Sequence, residues 1–150
     1  MIQRKQSLFL LFAFIATVVC LCLPIAEITP MGMGGNIKLY NLCIITSAGA
    51  NYSVCGLFGI LAMSAALSLG TIFLYNNRKL QSKFCVCNLF LLIAWYIVLG
   101  VTARNTSPVD FSFNLAFAAC LPAIAAILVF MARAGVIHDE KLVRAADRIR

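Results

Sequence analysis

Four long apolar stretches dominate the chain. Residues 8–28, 54–75, 84–103 and 111–133 carry charge only at their margins, at Glu27 and Arg133. Each is close to the roughly 20 residues a helix needs to cross a hydrocarbon core about 30 Å thick. The pattern predicts an all-α integral membrane protein. Its four transmembrane helices form an antiparallel bundle, with a polar tail over residues 134–150. The whole chain reads as one membrane domain. The first stretch outlasts the apolar core of a signal peptide and no Ala-x-Ala site follows it, so it is expected to stay as a span.

Breaker residues separate the spans. The longest connection, residues 29–53, opens with Thr29-Pro30 and the Gly32 to Asn36 run. Its middle, IKLYNLCIIT, is rich in β-branched and aromatic residues, and SAGAN after it reads as a turn. A short β-hairpin on the membrane surface fits that pattern. The 76–83 connection is short and basic, which makes the second and third spans a tight hairpin. Asp110 is placed to cap the fourth helix. Pro122 falls near the middle of the 111–133 stretch, so a kink is expected there. Gly135 reads as the end of that helix.

Some polar groups fall inside the spans. Trp95, Tyr96 and Asn88 lie within the third and need hydrogen-bond partners inside the bundle. On the second span, Ala62, Ala66 and Gly70 recur every four residues, as small residues do where helices approach closely. Packing within this chain is the favoured use of that row, with a homo-oligomer face as the alternative.

Composition agrees with the membrane reading. Hydrophobic residues make up 63% of the chain and charged residues only 11%, against roughly a quarter charged in soluble domains. The net charge of +7 would suggest nucleic acid in a soluble protein. Here the basic residues sit beside span ends, so the lipid bilayer is the expected partner and nucleic acid is not. Ten of the twelve lie on one side of a four-span arrangement: Arg4, Lys5, Arg78, Lys79, Lys83, Arg133, Lys141, Arg144, Arg148 and Arg150. Lys38 and Arg104 lie on the other. The positive-inside rule then places both termini in the cytoplasm.

The tail is the one soluble-looking piece. Asp139 can cap a new helix, and Glu140 pairs with Arg144 at the favourable spacing. Leu142, Val143, Ala146 and Ile149 share one face. A short cytoplasmic amphipathic helix is expected, either as a simple anchor on anionic lipid or as a docking helix for a membrane-protein partner.

The opening Met-Ile-Gln-Arg-Lys-Gln-Ser and the closing Asp139 to Arg150 segment resemble a family of small four-span membrane proteins. That family comes from Gram-negative bacteria of the Bacteroidetes group and is catalogued as a domain of unknown function. The resemblance implies a multi-pass location in the bacterial inner membrane and supplies no catalytic residue, cofactor or metal. It marks Gln3, Arg4, Gln6, Leu142, Arg144, Asp147 and Arg148 as candidate contacts to a partner or to lipid headgroups.

Little catalytic chemistry is legible, and an enzyme is the less favoured reading. The lone His138 has no nucleophile in a recognisable constellation. The seven cysteines lack zinc spacing. Cys20-Leu21-Cys22 is one residue short of the C-x-x-C pair that membrane disulfide oxidases use. Cys43 and Cys55 flank the outer loop and could form a structural bridge in an oxidising compartment. The reading is a small non-catalytic subunit, assembly factor or scaffold. A thiol-disulfide oxidoreductase using outer-side cysteines is the alternative.

Overall fold

The computed structural model describes residues 3–30, 35–46, 49–74, 78–106 and 111–147. Four helices and a five-stranded sheet make up the described chain. The helices are α1 (Gln3–Cys22), α2 (Cys55–Phe73), α3 (Arg78–Thr106) and α4 (Leu121–Asp147). The strands are β1 (Ala26–Pro30), β2 (Ile37–Leu39), β3 (Ile44–Thr46), β4 (Gly49–Asn51) and β5 (Phe111–Leu115). A single 3-10 turn, Phe117–Cys120, leads into α4.

Three helical stretches among the described residues are long and apolar enough to cross a membrane: Cys55–Phe73, Leu80–Thr106 and Phe117–His138. These features are those of a membrane protein. The apolar part of α1, Gln6–Cys22, is shorter. At 1.5 Å per residue it measures about 25 Å. Each helix packs on the next in chain order, and α1 closes the ring against α4.

The sheet corrects the all-α expectation. Its strand order is β4-β3-β2-β1-β5, antiparallel throughout. The first connection supplies four strands where one hairpin was expected. The connection between α3 and α4 supplies the fifth. Register pairs Ala26 with Leu115 and Pro30 with Phe111. One face is apolar and buried, through Ala26, Ile28, Leu39 and Ile44. Lys38 and Ile45 on the opposite face are exposed. This alternation is what a sheet with one face on a core requires. Gly49 enters β4 with φ +132, a left-handed conformation that favours glycine.

Strand formation shortens two expected spans. The 8–28 stretch ends as a helix at Cys22, and Ala26–Pro30 becomes β1. The 111–133 stretch begins as β5, and its long helix starts only at Leu121. Asp110, the expected cap, lies outside the described residues, and the strand separates it from α4. Pro122 is therefore the second residue of α4 instead of its midpoint. In the first turn an amide has no helical partner to lose, so proline is tolerated there without a kink.

Gly135 does not end α4. The helix continues unbroken to Asp147, so Asp139 caps nothing and the tail forms no separate helix. The glycine has a packing role instead. A Cβ built at Gly135 would lie 3.0 Å from Cγ of Gln6 and 3.3 Å from its Nε2. Absence of that carbon lets α1 and α4 approach.

The small-residue row on α2 also differs from expectation. The buried stripe is Leu57, Leu61, Ser64, Ala65, Ser68 and Thr71. Ala66 is exposed, and a Cβ at Gly70 would meet nothing within 4 Å. Among the described residues it is the buried stripe, not Ala66 or Gly70, that carries the packing of α2.

Candidate functional site

Polar groups are concentrated at two levels between the helices, and both levels are internally satisfied. The first lies under the sheet and centres on Asn41, in the link between β2 and β3. Its side chain is wholly buried. Asn41 Nδ2 donates to the Cys20 carbonyl at 2.7 Å, near the end of α1. Its Oδ1 accepts the indole N–H of Trp95 on α3 at 3.0 Å. Its own carbonyl accepts the amide of Phe58 on α2 at 3.1 Å. One residue thus ties three helices to the sheet. An asparagine offers both donor and acceptor on one planar group, which suits this double role.

Neighbouring bonds extend this level. The Cys20 thiol donates to the Ala118 carbonyl at 3.4 Å. Tyr96 Oη donates to the Ala119 carbonyl at 2.7 Å, binding α3 to the 3-10 turn. The rings of Trp95 and Tyr96 meet edge to face with centroids 5.0 Å apart. Thr29 and Ser112 share a short hydroxyl contact across β1 and β5. Trp95 and Tyr96 therefore find the partners their position demands. Asn41 was not foreseen, because a lone asparagine in a connection carries no periodic signal.

The second level joins α2 to α3. Ser64 Oγ donates to Asn88 Oδ1 at 2.5 Å, and Asn88 Nδ2 donates to Ser68 Oγ at 2.8 Å. Ser68 Oγ donates in turn to the Ser64 carbonyl at 3.0 Å. Asn88, Ser64 and Ser68 are all buried. The cycle gives Asn88 the partner that its place in an apolar span requires. Gln81 Nε2 adds a longer contact to the Thr71 carbonyl at 3.5 Å.

The described candidate contacts, Gln3, Arg4, Gln6, Leu142, Arg144 and Asp147, sit at the opposite end from the sheet. Gln3 and Arg4 begin α1, and Arg144 and Asp147 end α4, with side chains outside the described set. Arg148 lies outside the described residues. Leu142 is exposed on α4. Gln6 is buried and packs on α4 at Gly135. That contact makes α1 and α4 antiparallel neighbours, with Gln3 level with about residue 138. The last nine residues of α4, Asp139 to Asp147, pass beyond the described start of α1. This is roughly 13 Å of helix.

The cysteines are dispersed. All seven are free. Cys20 and Cys85 are buried, and Cys43 is half-buried at the β2–β3 link. Cys22, Cys55, Cys87 and Cys120 are exposed. Cys120 opens onto an apolar cleft of about 390 Å³ shared with Tyr96, Leu115 and Phe117. Among the described residues, no three His, Cys, Asp or Glu side chains group as metal ligands.

No curated protein matches the chain. A family described as "Domain of unknown function (DUF4293)" matches residues 2–149. With practically the whole length covered, the chain belongs to that family.

Proposed function

We propose that this is a four-span inner-membrane protein with both termini in the cytoplasm. It acts without catalysis as a small subunit, assembly factor or scaffold. The observation that carries this reading is the extension of α4. A helix that continues for about two and a half turns past the described start of its neighbour, with Leu142 exposed on it, offers a surface to another protein. The internal polar groups, by contrast, are spent on holding the helices and sheet together. The charge asymmetry of the two sides supports the orientation.

Site-specific photo-crosslinking from position 142 in native membranes tests the role. The reading requires a protein adduct at Leu142 that disappears from position 8, inside the apolar part of α1. If Leu142 yields lipid adducts alone, the docking role fails. Reporter fusions at Asn51 and Arg150 test the orientation and must report opposite sides of the membrane.

A further inference from the structure

Arg133 is the basic residue deepest in an apolar stretch. It lies on α4 within Phe117–His138, five residues before the end of that stretch. By helix rise this is about 7 Å inside. Its Nε is fully buried and has no hydrogen-bond partner among the described residues. A guanidinium cannot shed its charge, so one with a buried unpaired N–H gains from an acceptor at its remaining N–H groups.

Among the described residues, its helix neighbours do not supply one. Residues three and four positions away are helix neighbours, and at Arg133 these are Val129, Phe130, Val136 and Ile137. Across the interface the guanidinium lies close enough to the Cys85 thiol on α3 to act on it electrostatically. A thiol is only a weak acceptor. Glu27 sits in β1 at the other end of the molecule. Glu140 has an interaction of its own. Asp139, six positions on, falls outside the spacing that brings helix neighbours together.

We propose that Arg133 is the anchor of a binding site for the phosphate of an anionic phospholipid, at the end of the molecule that carries both termini. The depth selects the ligand. Arginine rooted just inside the apolar zone reaches toward the headgroup level, where lipid phosphate is the abundant acceptor. Its planar fork matches two phosphate oxygens. The Nε is closed to any outside ligand, so a phosphate meets the rest of the half-buried guanidinium, and a carboxylate from a soluble partner would have to be carried into the apolar zone to reach it. Lys83, exposed two residues before Cys85 on α3, adds positive charge at the same end.

The site rests on the membrane reading above and has its own test. Full-length protein in neutral detergent is titrated with phosphatidylglycerol, with dioleoylglycerol, or with inorganic phosphate. Bound lipid is counted by native mass spectrometry. The wild type retains phosphatidylglycerol and not dioleoylglycerol. Arg133→Met, which keeps the apolar packing of the stem, weakens phosphatidylglycerol binding about ten-fold or more, and Arg133→Lys weakens it less. Lys38→Met, in the sheet, leaves it unchanged. Equal retention by wild type and Arg133→Met overturns the proposal, as does equal binding of dioleoylglycerol. Displacement of the lipid by millimolar inorganic phosphate overturns the lipid as its source. A circular-dichroism spectrum of each variant shows that it is folded. Resistance of the protein to alkaline extraction from membranes tests the membrane reading separately.

Discussion

Replacing Asn41 by alanine removes the group on which the sheet and three helices converge. Two strong bonds disappear, to the Cys20 carbonyl and from the Trp95 indole, together with a long contact to the Cys20 sulfur. The acceptor and donor they leave behind remain buried, since Cys20 and Trp95 are both inaccessible. A buried polar group left unpaired costs about 1–3 kcal/mol. The carbonyl of Cys20 is the cheaper of the two, because it lies near the end of α1, where rearrangement is easier. About 3 kcal/mol in total is expected for Asn41→Ala. The backbone bond from Phe58 to the Asn41 carbonyl is untouched. Denaturation in detergent is followed by circular dichroism in every variant, because Trp95 is the only tryptophan and its fluorescence is lost in Trp95→Phe. Trp95→Phe abolishes the indole donor. In a double-mutant cycle the two changes then couple by about 1–2 kcal/mol, since the second removes a group the first had stranded. An Asn41→Ala protein within 0.5 kcal/mol of wild type would refute the reasoning (on the order of measurement error for such cycles). Strict additivity in the cycle would refute it equally.

Three further outcomes are expected. In Gly135→Ala, overpacking against Gln6 of about 1–3 kcal/mol offsets the roughly 1 kcal/mol that alanine gains over glycine inside a helix, so the change gives no net stabilisation in the wild-type background and stabilises in a Gln6→Ala background; chemical denaturation of the two single variants and the double variant reads this. Pro122→Ala changes stability by less than about 1 kcal/mol in the same assay, because a first-turn proline costs little, whereas a mid-helix proline costs about 3 kcal/mol. With a small maleimide in detergent, mass spectrometry finds Cys22, Cys55, Cys87 and Cys120 modified first. Cys20 and Cys85 react only on denaturation, in keeping with their burial.

What the sequence discloses depends on how local the cause is. The second and third spans are legible because each is a long run without charge, and the structure places α2 and α3 on them. The ends of the outer two stretches are not, because hydropathy averaged over a window hides a change of period. Phe111–Leu115 reads apolar, polar, apolar, polar, apolar, and Ala26–Pro30 alternates likewise. Both signals are present but fall at the margins of greasy runs. The error then propagates: a helix started too early puts Pro122 at its centre. Gly135 misleads for another reason. A glycine before a polar tail looks like a stop, and only the approach of Gln6 from a distant helix reveals its use. Asn88 and Trp95 announce themselves as polar groups in apolar surroundings, yet their partners are set by tertiary contacts. Residues at the two termini stand out by family resemblance, which marks positions without saying what they touch.

The pairing of β1 with β5 imposes a timetable on biogenesis. β1 lies between β2 and β5, and its second neighbour comes from the far side of α3. During synthesis the first four strands emerge with α1 and α2, while Phe111–Leu115 is still to be made. Until it arrives, β1 presents the open edge that sheets ordinarily guard against stray pairing. Closure of that edge is a late, long-range event of the kind that slows folding. It also fastens the connection before α4 to the connection after α1, so the last helix is delivered to its place beside the first by a strand already in register.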